Sequence, residues 1–322
     1  MKALTHLRSH WLSVLLAVLL LIAVGTAIAI YLQFNPIPCS SYLDPDVSCD
    51  PTQTQVGVSR DIRNAVDEQI TAEKKAGHAD TVSVYYQSLN SDQWFSLYNN
   101  LLYQPASLSK VPLMMWFYSL SENDPEILDR QLDYQDGTLG MAQHFDYGGV
   151  QPGNTYSVDQ LIDSMIVKSD NNAAYALVSL LTPQDQLNLF ADFDFRKSKT
   201  ATTSSVDEYR LDVKSLATEY RMLYDASYLT PQDSEKALKL LSESKFKAGL
   251  EAGVPDGTVV AAKFGERQTS DGQEQIHDCG VVYAPAHPYI LCVMTHGKDP
   301  DVLAGVIASI SKIVYTKVEA DQ

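Results

Sequence analysis

Positive charge is scarce in this 322-residue chain: 24 Lys and Arg stand against 40 Asp and Glu, a formal net charge of −16. A nucleic-acid partner needs a positive face to neutralise phosphates, so no nucleic acid is expected. Cysteine is scarce too, with four in the chain. None of the Cys/His spacings resembles a zinc site, so no metal and no other cofactor is expected. Internal repeats and low-complexity tracts are absent. No Gly-x-Ser-x-Gly elbow occurs, which removes one common route to an activated serine.

Long apolar runs are limited to one. From Trp11 to Phe34 there is no charged residue. As a helix rising about 1.5 Å per residue, that run spans a bilayer core of about 30 Å. Lys2 and Arg8 precede it, whereas Asp44, Asp46 and Asp50 follow before the next basic residue, Arg60. The charge bias predicts a cytoplasmic N-terminus at 1–10, a single membrane anchor at 11–34 and everything beyond it outside the cell membrane. The rival reading is a cleaved signal peptide with Ala27-Ile28-Ala29 as its cleavage site, although the apolar run is long for that. Residues 35–56 read as an extracytoplasmic linker and 57–322 as the folded domain. Cysteines outside a membrane suit an oxidising compartment. Cys39 and Cys49 bracket a short polar stretch. Cys279 and Cys292 flank Pro285-Ala286-His287-Pro288 and would face each other on a hairpin; two separate buried thiols are the alternative.

The folded part opens with a helical pattern from Ser59 to Ala76. Two strand-like runs follow, Thr81–Ser88 and Gln93–Tyr98, joined at Asn90-Ser91-Asp92. A helix is expected to begin at Ser107, and the chain then reads as helical to about Gly253. Ser157 with Gln160 forms a capping-box signature for a helix reaching Val167, and Thr230-Pro231-Gln232-Asp233 starts another. Strand patterns return at Thr258–Phe264, His277–Ala284 and Tyr289–Thr295, before a last helix from Asp301 to Tyr315. Short turns make the strands antiparallel. The expected fold class is α+β: an antiparallel five-stranded sheet flanked by terminal helices, with an all-helical lobe inserted and one transmembrane helix in front.

The chemistry gathers at three places. Ser107-Leu108-Ser109-Lys110 sets a serine three residues before a lysine, on one helix face. A serine hydroxyl becomes a nucleophile when a base takes its proton, and a lysine with a depressed pKa can be that base. The same spacing recurs from Ser242, Ser244 and Ser309, which read as helix surface. The other two places are Ser169-Asp170-Asn171, between two expected helices, and Lys263-Phe264-Gly265, in the third strand region. In this order and context the three elements resemble the serine β-lactamases and penicillin-binding proteins, most closely class A β-lactamases. The resemblance covers roughly residues 57–318.

The resemblance implies roles. Ser107 would attack a carbonyl, Lys110 would be its base, and Ser169 would relay a proton to the leaving nitrogen. Asn171 would hold Lys110 and a substrate amide. Lys263 and Gly265 would line the substrate site, and the oxyanion hole would use the backbone N–H groups of Ser107 and Glu266. Two departures stand out. Phe264 occupies a position where the family has a hydroxyl that binds a substrate carboxylate, and Glu266 brings a negative charge that Arg267 would have to compensate. The loop from Asp192 to Asp212 is short, and Glu208 is its one candidate for the base that activates water. The expected activity is hydrolysis of a β-lactam or related amide through an acyl-Ser107 intermediate. The alternatives are a penicillin-binding DD-peptidase acting on peptidoglycan peptides and a non-catalytic wall-binding protein.

Overall fold

The computed structural model describes residues 58–91, 93–135, 143–197, 209–285 and 287–320. The expected anchor at 11–34, the linker at 35–56, Cys39, Cys49 and Glu208 lie outside the described residues. Among the described residues no helix is long and apolar enough to cross a membrane.

The described residues open with helix α1 (Val58–Ala76), then β1 (Thr81–Ser88) and β2 (Trp94–Leu97). A 3-10 turn at Ala106–Ser109 leads into α2 (Lys110–Ser121). The inserted lobe continues with β3 (Gln131–Tyr134), β4 (Asn154–Ser157), α3 (Val158–Val167), α4 (Asn171–Val178), α5 (Pro183–Asp192), β5 (Arg196–Lys197), β6 (Tyr209–Arg210), α6 (Val213–Tyr224) and α7 (Pro231–Ser242). The sheet resumes with β7 (Val260–Gln268), β8 (Glu274–Val282) and β9 (Tyr289–Gly297), and α8 (Pro300–Ala320) follows.

The five long strands form one antiparallel sheet in the order β2-β1-β9-β8-β7. Both faces are covered, and the pleat sorts each strand accordingly. On β9, Ile290, Cys292 and Met294 join the core under the helical lobe, whereas Tyr289, Leu291 and Val293 join the core under the terminal helices. In α1, Ile62, Val66 and Ile70 recur every four residues on one fully buried stripe. They meet Leu303, Ile307, Ile310 and Val314 of α8 in the same core, each burial stabilising by about 1.5–3 kcal/mol.

Local signals held where a cap was involved. Ser157 and Gln160 make the reciprocal capping box of α3, and Thr230 accepts from the Asp233 N–H at the start of α7. Cys279 and Cys292 are direct cross-strand partners on β8 and β9 and are disulfide-bonded.

Three expectations are corrected. The lobe is not all helical, because β3 pairs with β4 and β5 with β6. The α-helix does not begin at Ser107: Lys110 N donates to Ser107 O in a 3-10 turn, and the α-helix starts at Lys110. Pro112 gives the reason. An α-helix from Ser107 would need its N–H to reach Leu108 O, and proline has none; in the first turn of a helix from Lys110 no such bond is required. Ser244 is buried outside any helix instead of lying on a helix surface.

Candidate active site

Helix α2 is apolar on nearly every side. Val111, Leu113, Met114, Met115, Phe117 and Tyr118 are all buried, so the helix threads the middle of the lobe. Its first residue, Lys110, is carried inside with it and is only 4% exposed. Burial pulls the Lys110 amine down to about 7, with the carboxylates of Asp170 and Glu266 opposing the shift. Its Nζ donates to Ser169 O, to Asn171 Oδ1 at 2.7 Å and, more loosely, to Ser169 Oγ at 3.4 Å.

Ser107 sits in the turn just before α2, and its hydroxyl accepts or donates no hydrogen bond within the described residues. The residue before it, Ala106, has φ +50, a left-handed conformation unusual for a residue with a Cβ. β7 presses against this turn. A Cβ on Gly265 would lie 3.1 Å from Leu108 Cγ and 3.2 Å from Pro105 O, so glycine is what lets the strand approach. Because β7 is the sheet edge, its outward backbone groups face away from β8.

The second element is held from beneath. Ser169 is fully buried with φ +57, another left-handed side-chain-bearing residue. That conformation gives the amines two acceptors from one residue: its carbonyl takes Lys110, and its Oγ takes Lys263 Nζ at 2.8 Å. Asp170 caps α4 by accepting from Asn172 N at 2.9 Å. Its other oxygen accepts from Val150 N at 2.8 Å and from Ser164 Oγ at 2.9 Å. Gly149 makes room for this carboxylate, since a Cβ there would meet it at 2.4 Å.

Lys263 is fully buried in the middle of β7. It donates to Ser169 Oγ and to Phe264 O, each at 2.8 Å, and its Nζ lies 4.3 Å from the centre of the Phe264 ring. Burial and the neighbouring Lys110 charge pull its pKa well below the usual lysine range, against the attraction of Asp278 and Glu266. Asp278 is pushed up to about 7 by burial; its Oδ2 accepts from Leu250 N at 2.8 Å. Phe264 belongs to an aromatic cluster, stacked 4.2 Å from Phe246 and edge-on to Phe145 and Tyr147. Glu266 is half-buried, and its carboxylate accepts from the N–H groups of His144 at 2.7 Å and Phe145 at 3.0 Å.

Ser169 and Asn171 thus hold Lys110, Lys263 meets the same Ser169, and Gly265 abuts the turn that carries Ser107. Glu208 lies outside the described residues, so no position is assigned to it. Two supporting groups were given no role by sequence. Asp170 had a local signal, as an Asp directly before a helical run is a common N-cap. His277 had none. Its Nδ1 accepts from Thr295 N at 3.3 Å, which leaves the proton on Nε2 to be donated to Gln104 O at 3.2 Å. Burial holds His277 at about 4, so it remains neutral while it pins the loop residue Gln104 just before the Ser107 turn. Among the described residues no group of three His, Cys, Asp or Glu side chains is placed to hold a metal ion.

None of the curated proteins matches the chain. Among solved structures, a point mutant of PBP-A in an acyl-enzyme complex with penicillin G superposes with a TM-score of 0.67 at 18% identity, covering 80% of this chain and 97% of that one. A class A β-lactamase representative from Bacteroides cellulosilyticus DSM 14838 gives 0.67 at 21% identity, covering 81% and 99%. A β-lactamase from Chitinophaga pinensis DSM 2588 gives 0.68 at 18%, covering 81% and 100%. At these identities the likeness is one of fold. The model of the beta-lactamase enzyme family matches residues 62–318, and the chain belongs to that family.

Proposed function

We propose that this protein is a membrane-anchored, extracytoplasmic serine hydrolase that opens a β-lactam or related amide through an acyl-Ser107 intermediate. The observation that carries this reading is the Lys110 amine, buried beside Ser169 and Asn171 with its pKa lowered to about 7. As a neutral amine it spends two N–H bonds on Ser169 O and Asn171 Oδ1, and its lone pair is left to take the Ser107 proton. Ser107 Oγ then bonds to the substrate carbonyl carbon, and the carbon–nitrogen bond breaks. Ser169 accepts from Lys263, so its own hydroxyl hydrogen is directed elsewhere and is available to the departing nitrogen; Lys110 restores that proton. The N–H groups of Ser107 and Glu266 hold the developing oxyanion, a contribution of about 3 kcal/mol per donor in serine hydrolases. Asn171 holds the substrate amide. Glu208 is the candidate base for the water that releases the acyl group. The membrane location rests on the uncharged run from Trp11 to Phe34 and on the charges around it.

A second reading follows from how water enters. PBP-A is seen as a penicillin acyl-enzyme, and a chain that holds its acyl group in the same way would be a penicillin-binding DD-peptidase using the same residues. Intact-mass spectrometry of residues 35–322 over time with a penicillin, with Ser107→Ala in parallel, tests both. A penicilloyl adduct on the native chain alone establishes the acylating serine. Its decay with turnover means a hydrolase and its persistence a penicillin-binding protein. An equal adduct on Ser107→Ala would sink the assignment. No adduct on a folded native chain would favour a non-catalytic wall-binding role on this fold.

A further inference from the structure

We propose that residues 143–150 form a latched strap across the mouth of the active site, and that Phe145 is the bolt an acyl donor must displace to reach Ser107. The inference rests on the acyl-Ser107 reading and adds a control on access to that same site.

Both ends of the strap are tied to the loop that carries Ser169. Gln143 Nε2 donates to Ser169 O at a loose 3.4 Å, and Val150 N donates to Asp170 Oδ2 at 2.8 Å. Its middle is tied to the sheet. The N–H groups of His144 and Phe145 donate to the Glu266 carboxylate at 2.7 and 3.0 Å. The Phe145 ring stands edge-on to Phe246 at 4.9 Å and to Phe264 at 6.0 Å, and Tyr147 stands edge-on to Phe264 at 6.3 Å. His144 Nε2 lies 3.1 Å from Asp301 at the start of α8.

Strand alternation gives these contacts a direction. Lys263 and Gly265 face the lobe, where Ser169 and the Ser107 turn lie. Phe264 packs in the core under the terminal helices, and Glu266, two residues on, shares its face. A segment bonded to Ser169 on one side and to Phe264 and Glu266 on the other passes round the free edge of β7, the outer strand of the sheet. That edge flanks Gly265, which abuts the Ser107 turn. In the acyl-Ser107 reading it is also where the Glu266 N–H receives the oxyanion. The strap thus occupies the approach to the nucleophile.

The reactive groups are closed in. Ser107 is 6% exposed, and Lys110, Ser169 and Lys263 are buried. An acyl donor has to bring its carbonyl to about 3–3.5 Å from Ser107 Oγ, so a wall must give way. Helix α2 and β7 are packed into the two cores and resist displacement. The strap does not share that restraint. It has no regular secondary structure and, among the described residues, makes no backbone-to-backbone hydrogen bond. His144, Asp146 and Gly148 are exposed, and Gly148 has φ +73 with open space where a Cβ would stand. Its hold on the sheet is the Glu266 carboxylate, the His144–Asp301 contact and the Phe145 and Tyr147 rings. A segment held by so few contacts opens locally at low cost.

Benzylpenicillin is the probe. The rate of Ser107 acylation is read by intact mass on the native chain, on Phe145→Ala and on Glu266→Gln. Removing the ring should raise the rate by about tenfold, because the fraction of molecules with the strap open limits the native reaction. Glu266→Gln keeps an acceptor for one of the two N–H groups and should raise the rate less. Hydrogen exchange of the peptide over 143–147 reads the strap independently of chemistry. Its His144 and Phe145 amides should exchange slowly in the native chain, faster in both variants, and faster in the native chain with benzylpenicillin in excess. Adducts on the variants alone would also support the inference. An unchanged or slower rate on a folded Phe145→Ala chain would overturn it and leave the acyl-serine reading intact. So would exchange that benzylpenicillin does not quicken while adducts form. Adducts on none of the three chains would overturn both.

Discussion

Lys263 Nζ donates a hydrogen bond to the hydroxyl of Ser169 at 2.8 Å, joining the middle of an edge strand to a loop between two helices, 94 residues away in the chain. Ser169 thereby meets both lysines, Lys263 at its hydroxyl and Lys110 at its carbonyl, and in the proposed mechanism this contact turns the Ser169 hydroxyl hydrogen toward the departing nitrogen.

Ser169 combines a strained backbone with a chemical group, and two substitutions separate them. Ser169→Ala and Ser169→Gly should both slow acylation by on the order of 10²-fold or more, since each removes the proposed relay. Thermal unfolding should distinguish them: glycine adopts φ +57 without penalty, so Ser169→Gly should be the more stable, by about 1 kcal/mol. Equal stabilities would mean that the left-handed backbone costs nothing here.

The lowered Lys110 pKa sets a pH profile. In the proposed mechanism the neutral amine is the base, so acylation should rise as pH passes through about 7 and then level off. Lys110→Arg should lose the profile and most of the activity, because a guanidinium stays protonated. Stability carries the complementary signature. Between about 7 and 10.5 the unfolded chain holds the Lys110 proton and the folded chain does not. The contribution of this group to stability therefore rises with pH across that window. Lys110→Met should flatten the corresponding rise in denaturant midpoint; an unchanged slope would place the pKa elsewhere.

Gly265→Ala places a methyl 3.1 Å from Leu108 Cγ and 3.3 Å from Leu108 N. β7 or the Ser107 turn must then shift by a few tenths of an ångström. Acylation should fall by up to about 10²-fold, with a stability loss of about 1–3 kcal/mol from overpacking. Normal acylation with lowered stability would show that the turn keeps its geometry while the sheet yields.

Asp170 is a structural acid. Asp170→Ala orphans the N–H groups of Val150 and Asn172 and the Ser164 hydroxyl around a site 4% exposed. The cost should be about 3 kcal/mol or more in urea unfolding, with acylation reduced because Ser169 loses its support. Asp170→Asn, which keeps two acceptor lone pairs, should recover part of the stability.

What the sequence by itself determined is what short-range physics governs. Alternating apolar residues set the strands, and Ser157 and Thr230 set helix starts through side-chain caps on nearby N–H groups. The symmetric placing of Cys279 and Cys292 about a turn was enough to put them opposite each other; that they are bonded came from the structure. The three motif elements were legible as residue types in a fixed order.

What only the tertiary structure decided is which groups meet. The Lys110 amine is held by Ser169 and Asn171, 59 and 61 positions away, and Glu266 is held by backbone N–H groups more than 120 positions earlier. No local propensity encodes such contacts. They exist because the apolar α2 is buried in its lobe and takes Lys110 with it, while the sheet core sets β7 against the Ser107 turn. The two small strand pairs of the lobe were missed for the same reason: β3, β5 and β6 are too short to show a period, and pairing across the lobe supplies their hydrogen bonds.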